Sequence, residues 1–372
     1  MTVQYTDLVA SQGGFFKLLI RWRGSVYKTV WQDIVVYLIF FYVISFIYRF
    51  ALNDSERRLF EKVVISFTRY RTLIPVSFVL GFYVALVVSR WWDIYRSMPW
   101  PDTLAILAST YIPGSNRGSR TVRNSVLRYI NLGIAITFAT VSPVVKDKLS
   151  TIQDLRREGY VTDKEMQILR RLDEQTDQHK AWVPIMWATK TLQQARQDGL
   201  IASDIALQTL VEEILSLRLK CGSLLGYYGN NIPLVYTQVV TIAVYAYFTF
   251  SLLGEQFLDT TKGYDGQLVD FYVPIFALLQ LFFYLGWLKV AEALLNPFGD
   301  DDHDFEFLSY LERNIKMSKL LCDAMPSDLP PDMEEAENIA SGKVFVVKGV
   351  STNRSSGNDN MAAKDRFKNS LI

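Results

Sequence analysis

From Cys221 to Gly254 the chain reads CGSLLGYYGNNIPLVYTQVVTIAVYAYFTFSLLG, 34 residues without one Asp, Glu, Lys or Arg. A hydrocarbon layer about 30 Å thick is crossed by about 20 residues of helix, so this run suffices to span a bilayer. Four more charge-free blocks accompany it: Ile34 to Tyr48, Thr72 to Ser89, Tyr129 to Val145, and Phe271 to Leu288. A water-soluble domain of ordinary composition seldom leaves several such gaps, so the distribution of charge points to a membrane protein.

The first, second and fifth blocks reach spanning length if Lys28, Arg49, Arg90 and Lys289 extend their heads to the lipid headgroups. Together with Cys221–Gly254 they predict four transmembrane helices. Tyr129 to Val145 mixes Asn131, Gly133, Thr137, Thr140 and Ser142 into an apolar run that ends beside Pro143. It reads as a helix buried inside a large assembly, with a fifth span as the alternative.

The 372 residues are 50% hydrophobic and 14% aromatic, with 39 basic against 38 acidic side chains. That aromatic content argues against a disordered polymer, and the charge balance against a protein that grips nucleic acid by bulk charge. Cys221 and Cys322 make no disulfide framework, and free thiols are expected. Lys17, Arg21, Arg23 and Lys28 precede the first span against one acid, Asp7, the pattern of a cytoplasmic N-terminus. Four spans then put both termini on the cytoplasmic side. The connections Ser55–Lys62 and Glu255–Asp270 face outward, the first as a short, charge-balanced link.

The resulting organisation is a cytoplasmic segment over 1–28, spans one and two over 29–95, and a cytoplasmic helical region over 96–232. Spans three and four occupy 233–290, an acidic loop and helix 291–322, and a tail 323–372. In the insert, Thr162 and Glu165 form a capping box and Ser203 caps a second helix. The tail carries Pro326, Pro330 and Pro331, then acids, then a stretch nearly without bulky apolar residues, and is expected to be mobile.

No HExxH, GxSxG, CxxC or phosphate-loop motif is present, and the two histidines, His179 and His303, stand in unrelated segments. Catalysis is not expected, and His179 reads as a solvated surface residue. Two other signals stand out. After Asn296-Pro297-Phe298-Gly299 the chain runs Asp300, Asp301, Asp302, His303, Asp304, Phe305, Glu306, five carboxylates in seven positions. Crowded carboxylates repel, and a hard cation such as Ca²⁺ relieves that repulsion by taking carboxylate and carbonyl oxygens. It is not an EF-hand, because Phe305 stands where that loop requires glycine. An acidic, solvated helix start is the plain alternative. In the second span, Ile74, Phe78 and Phe82 recur at i, i+4 and i+8 and share one helix face. Such a face serves lipid contact or helix packing, or forms a hydrophobic constriction that opens when it widens and wets. A pore of that kind requires several copies around an axis, since four helices enclose no polar interior.

Several strings together resemble the bestrophin family: RWRGSVYK at Arg21–Lys28, IPVSFVLGFY at Ile74–Tyr83, VVSRWWDIY at Val87–Tyr95, and MPWPD at Met98–Asp102. IPLVYTQVV at Ile232–Val240 and YLGWLKVAEALLNPFGDDDHDFE at Tyr284–Glu306 extend the likeness, which covers roughly residues 1 to 320. The resemblance implies an all-α membrane protein with its subunits around a central pore: a calcium-activated chloride channel, homopentameric, passing chloride and other small anions across the lipid bilayer. It implies a pore neck at Ile74, Phe78 and Phe82, and a second, cytoplasmic constriction at Ile205. It also implies a calcium clasp in which the side chains of Asp301 and Asp304 join the backbone carbonyls of Ala10, Ala293 and Asn296. Ala293 replaces the glutamine familiar in vertebrate members, a change that a main-chain ligand tolerates. The plasma membrane is the implied location, an internal membrane the alternative. A calcium-binding membrane scaffold without its own pore would use the same acidic loop.

Overall fold

The computed structural model describes residues 21–324 other than 23, 72 and 265–268, with backbone alone at 70, 71 and 324. Ala10 and the tail beyond residue 324 lie outside the described residues. Every regular element in the described chain is helical. Four helices are long and apolar enough to cross a membrane. They are α1 (Val26–Phe46, running on as a π turn through Ile47–Ala51), α3 (Val76–Arg96), α11 (Leu234–Gly254) and α12 (Ile275–Leu295). The remaining α-helices are α2 (Asp54–Arg71), α4 (Asp102–Tyr111), α5 (Arg117–Val141), α6 (Pro143–Lys148), α7 (Ile152–Arg157), α8 (Asp163–Gln175), α9 (Trp182–Gln197), α10 (Asp204–Gly229) and α13 (Phe307–Lys319).

The four long helices share one core, in which Val30 and Phe41 of α1, Leu80 and Val87 of α3, Val244 of α11, and Leu281 and Leu288 of α12 are buried. Polar groups inside it find one another: Tyr37 Oη lies 3.1 Å from Ser251 Oγ, and Tyr247 Oη donates to Gln280 Oε1 at 2.9 Å. In hydrocarbon, where water offers no alternative partner, such pairs fix how the helices meet. Close backbone approach adds to this. A Cβ on Gly286 of α12 would come within 2.8 Å of Val26 Cγ2 on α1, so glycine lets these two helices touch.

Three spans are longer than their charge-free blocks, α12 running past Leu288 through Lys289 and Glu292 to Leu295. α1 begins at Val26 and carries Lys28 and Asp33, and α3 continues past Ser89 through Arg90 and Asp93 to Arg96. The connection read as a short outer link is instead the 18-residue helix α2. Its start is marked by the Asn53 N–H donating to Glu56 Oε2 at 3.0 Å, half of a capping box. α2 packs along α11, where a Cβ on Gly254 would meet the Thr68 backbone nitrogen at 3.1 Å. Glu61 is 1% exposed and accepts from Tyr48 at 2.9 Å, Lys262 at 2.7 Å and Tyr264 at 2.7 Å. Burial acts to raise its carboxyl, but the bonds from Lys262, Tyr264 and Tyr48 outweigh that and hold it below the ordinary range. One carboxylate thus joins α2, the end of α1 and the segment before α12.

The rest of the described chain forms a second core around α5. The apolar run at Tyr129–Val145 falls within α5 and α6, and Ile130, Leu132, Ile134, Phe138 and Val141 are buried against neighbouring helices of this body. Each such side chain contributes about 1.5–3 kcal/mol. At Gly133 an added Cβ would lie 3.1 Å from the Ala181 carbonyl, so α9 passes against the α5 backbone. Capping forms as the residues predict: Thr162 N–H donates to Glu165 Oε2 at 2.8 Å, and Ser203 Oγ accepts from Ala206 N–H at 3.2 Å. His179 departs from expectation. It is half-buried, its Nε2 lies 2.8 Å from Thr140 Oγ1, and its ring leans on Trp182. Burial lowers its pKa and the neighbouring Lys180 charge adds to the effect, because α5 and α9 enclose a residue that looked polar and solvated. Both cysteines are free and buried.

Candidate functional site: an apolar helix face joined to an acidic loop

α3 has two faces. Val76, Leu80, Tyr83, Val84 and Val87 are buried toward the helices it packs on, α12 and α11. Phe78 and Phe82 lie on the other side, 65% and 61% exposed, their rings 4.8 Å apart at 66°. Two large aromatic rings held together yet uncovered by their own chain mark a surface that meets something else. Ile74 is not on the helix. Pro75 begins the turn, its carbonyl accepts from Phe78 and Val79 at 3.1 Å, and Ile74 sits half-buried just before it. The i, i+4, i+8 face therefore holds only for Phe78 and Phe82, since proline interrupts the helix before Ile74 is reached. Ile205 is 77% exposed at the second position of α10, whose buried stripe begins at Ala206 and runs through Leu210, Ile214 and Leu217.

The acidic loop follows α12 directly. Pro297 has no N–H, so the Ala293 carbonyl lacks the donor four residues on that would continue the helix. Asn296 is the exposed C-cap. The loop then closes on itself: Asp301 N–H donates to Asp304 Oδ2 at 2.8 Å, Asp304 N–H to the Asp301 carbonyl at 3.2 Å, and Phe305 N–H to the Pro297 carbonyl at 3.0 Å. Asp301 is exposed, whereas Asp304 is 6% exposed. Its Oδ1 is buried without a hydrogen-bond partner among the described residues. Burial raises its carboxyl above the usual range, and the charges of Asp301 and Asp300 push the same way, against hydrogen bonds from Asp301 and Gly299. A Cβ on Gly299 would stand 2.7 Å from Asp304 Oδ2, so only glycine leaves room for this carboxylate.

These features suit a hard divalent cation. A buried carboxylate oxygen without a partner, a second carboxylate three residues away and a helix-end carbonyl without its donor supply oxygen ligands and negative charge. Side chains alone would not suffice, because no cluster of three His, Cys, Asp or Glu occurs among the described residues. Main-chain oxygens are required, and of those implied, Ala293 and Asn296 end α12 while Ala10 lies outside the described residues.

The loop packs on the same helix that carries the apolar face. Phe305 packs on Trp91 at 4.8 Å and on Tyr95 at 5.9 Å between ring centres, and both are on the last turns of α3. Phe82 precedes Trp91 by nine residues of the same helix, about 14 Å. No functional role was legible in sequence for Phe305, Trp91, Tyr95 or Gly299. The clustering of Trp91, Trp92 and Tyr95 at a span end was the available signal.

The profile of a family described as "Bestrophin, RFP-TM, chloride channel" matches residues 1–324. The chain belongs to the bestrophin family. It is 44% identical to human Bestrophin-1 over 338 residues, 90% of this chain and 57% of that protein. It is 46% identical to mouse Bestrophin-2 over 331 residues, 88% of this chain and 65% of the relative. Human Bestrophin-3 is 45% identical over 89% of this chain and 49% of its own length, so the chain spans about half to two thirds of these bestrophins. Crystal structures of a bacterial bestrophin homolog from Klebsiella pneumoniae carrying point mutations share the fold. One has a TM-score of 0.57 at 16% identity over 78% of this chain and 99% of that one. A second has a TM-score of 0.54 over 80% and 98% at the same identity.

Proposed function

We propose that this bestrophin is the subunit of a calcium-activated anion channel, a homopentamer conducting chloride and other small anions across the plasma membrane, with both termini cytoplasmic. Ile74, Phe78 and Phe82 line the neck of the pore, and Ile205 a second constriction. Asp301 and Asp304, with the carbonyls of Ala10, Ala293 and Asn296, hold calcium. The observation that carries the reading is the packing of Phe305 against Trp91 and Tyr95, because it joins the cation loop to the helix that presents the uncovered phenylalanines.

In this reading a bound Ca²⁺ supplies positive charge that cancels the repulsion among the loop's carboxylates. Asp304 then stays ionised in its buried position, Phe305 holds its place on Trp91 and Tyr95, and α3 is fixed where its apolar face stands back from the axis. With the loop loosened, Phe78 and Phe82 of each copy approach the axis and the constriction dries. Coupling requires that the open form bind calcium more tightly than the closed one. A tenfold preference at each of five sites supplies about 7 kcal/mol. Aromatic ring edges and helix amino ends favour an anion without a ring of fixed cations.

The test is halide flux into liposomes containing the purified protein, with calcium varied. The parent protein is expected to conduct only with calcium, and the Asp301→Ala, Asp304→Ala double variant to assemble normally and lose the dependence. An unchanged calcium response in the double variant removes the clasp. Calcium binding without flux in the parent would point to a scaffold instead.

A further inference from the structure

Lys28 stands in the first turn of α1, and its Nζ lies 2.7 Å from Oδ2 of Asp302, across 274 positions of sequence. Asp302 and His303 are the two residues between the proposed calcium-ligating side chains Asp301 and Asp304. The turn bearing Lys28 is held on its other side by span four: Val26 sits against Gly286, and the Tyr27 ring stacks on Phe282 at 5.4 Å. The acidic loop is thus tied through Phe305 to α3 and through Asp302 to α1.

We infer that Lys28 is a positioning residue for the calcium loop: its ion pair with Asp302 holds the 300–304 turn in its binding shape and fastens it to the first span. This inference rests on the calcium reading above. Two effects of removing Lys28 oppose each other. Deleting a positive charge beside a cation site tightens binding by simple electrostatics, while releasing the loop weakens it because binding must then order the turn. The ion pair is part-exposed, 50% at Lys28 and 23% at Asp302, so the electrostatic gain is strongly screened and the ordering cost dominates.

The experiment measures calcium binding by titration calorimetry on the purified, detergent-solubilised protein, with hydrogen exchange over 297–306 in calcium-free buffer as a second readout. Lys28→Met is expected to weaken calcium binding about fivefold, the range of a part-exposed ion pair, and to speed exchange in the loop without calcium. The charge-swapped variant, Lys28→Asp with Asp302→Lys, is expected to return both readouts to within about twofold of the parent. Lys28→Met binding calcium equally or more tightly, with exchange unchanged, overturns the inference. So does a swap that fails to restore while eluting as the parent assembly. If the parent itself binds no calcium, the channel reading fails while the calcium-free exchange still decides the ion pair. Should Lys28→Met not assemble, comparison of the swap with Asp302→Asn decides it on the same readouts, loss of protection in Asp302→Asn and recovery in the swap being the supporting result.

Discussion

Adding a single methyl group at Gly299 tests the cation loop from within. Its Cβ would lie 2.7 Å from Asp304 Oδ2, a separation that real Cβ atoms essentially never show. Asp304 is 6% exposed, so its carboxylate has little room to retreat, and the movement that relieves the clash lengthens the 2.8 Å bond from Asp301 N–H. Overpacking costs about 1–3 kcal/mol, and a hydrogen bond to a charged group is worth about 1.5–3 kcal/mol. The overpacking is present with and without calcium and largely cancels, whereas the lost hydrogen bond falls on the geometry that receives the ion, so a cost of about 2 kcal/mol to binding follows, and at about 1.4 kcal/mol per decade calcium binding weakens about thirtyfold. Titration calorimetry on purified Gly299→Ala reads this directly. Gly226→Ala is the control, because nothing lies within 4 Å of its added Cβ in the last turn of α10. A Gly299→Ala protein that binds calcium within about threefold of the parent would refute the claim that Asp304 is a ligand held by this turn.

Changing Ile74, Phe78 and Phe82 together to alanine is expected to give halide flux in liposomes without calcium, and a variant that still closes places the constriction elsewhere. Glu165 is held down to about 2, burial opposing but hydrogen bonds from Arg128, Thr162 N–H and Tyr129 prevailing. A carboxyl lowered on folding stabilises above its unfolded pKa, near 4.5, and that contribution is lost as pH falls toward about 2. At neutral pH it amounts to about 3 kcal/mol, so the melting temperatures of the parent and Glu165→Gln should converge between pH 5 and about 2. A gap independent of pH contradicts the pairing. Glu61→Ala leaves Tyr48, Lys262 and Tyr264 without their shared acceptor and is expected to cost about 2–3 kcal/mol, read as a lower melting temperature; an unchanged melt denies that this carboxylate joins the three segments.

The spans were legible because a bilayer demands long charge-free helix, and four blocks met that demand. Their ends were not, because α1 and α3 run beyond the charge-free blocks and carry Lys28, Asp33, Arg90 and Asp93 within the helix. α2 escaped notice for a related reason: DSERRLFEKVVISFTRYR is too charged for a span, yet one side of it is buried against α11. Asn53 and Glu56, three residues apart, were the visible sign of its start. At the candidate site the ligand types and the phenylalanine spacing were readable locally. Ile74 leaving the helix was foreshadowed by Pro75. The bond from Asp301 to Asp304 depends on a turn whose shape Gly299 permits, and the contact of Phe305 with Trp91 joins residues more than two hundred positions apart. Neither has a periodic signature.

The central claim is that calcium at the loop after α12 governs an anion path lined by the uncovered face of α3. Single-channel recording of the purified protein in a synthetic bilayer, with cytoplasmic-side calcium stepped from chelated to micromolar levels, tests it most directly. The account predicts discrete openings selective for chloride over sodium that appear only with calcium. Openings indifferent to calcium, or a protein that binds calcium and never conducts, would contradict it.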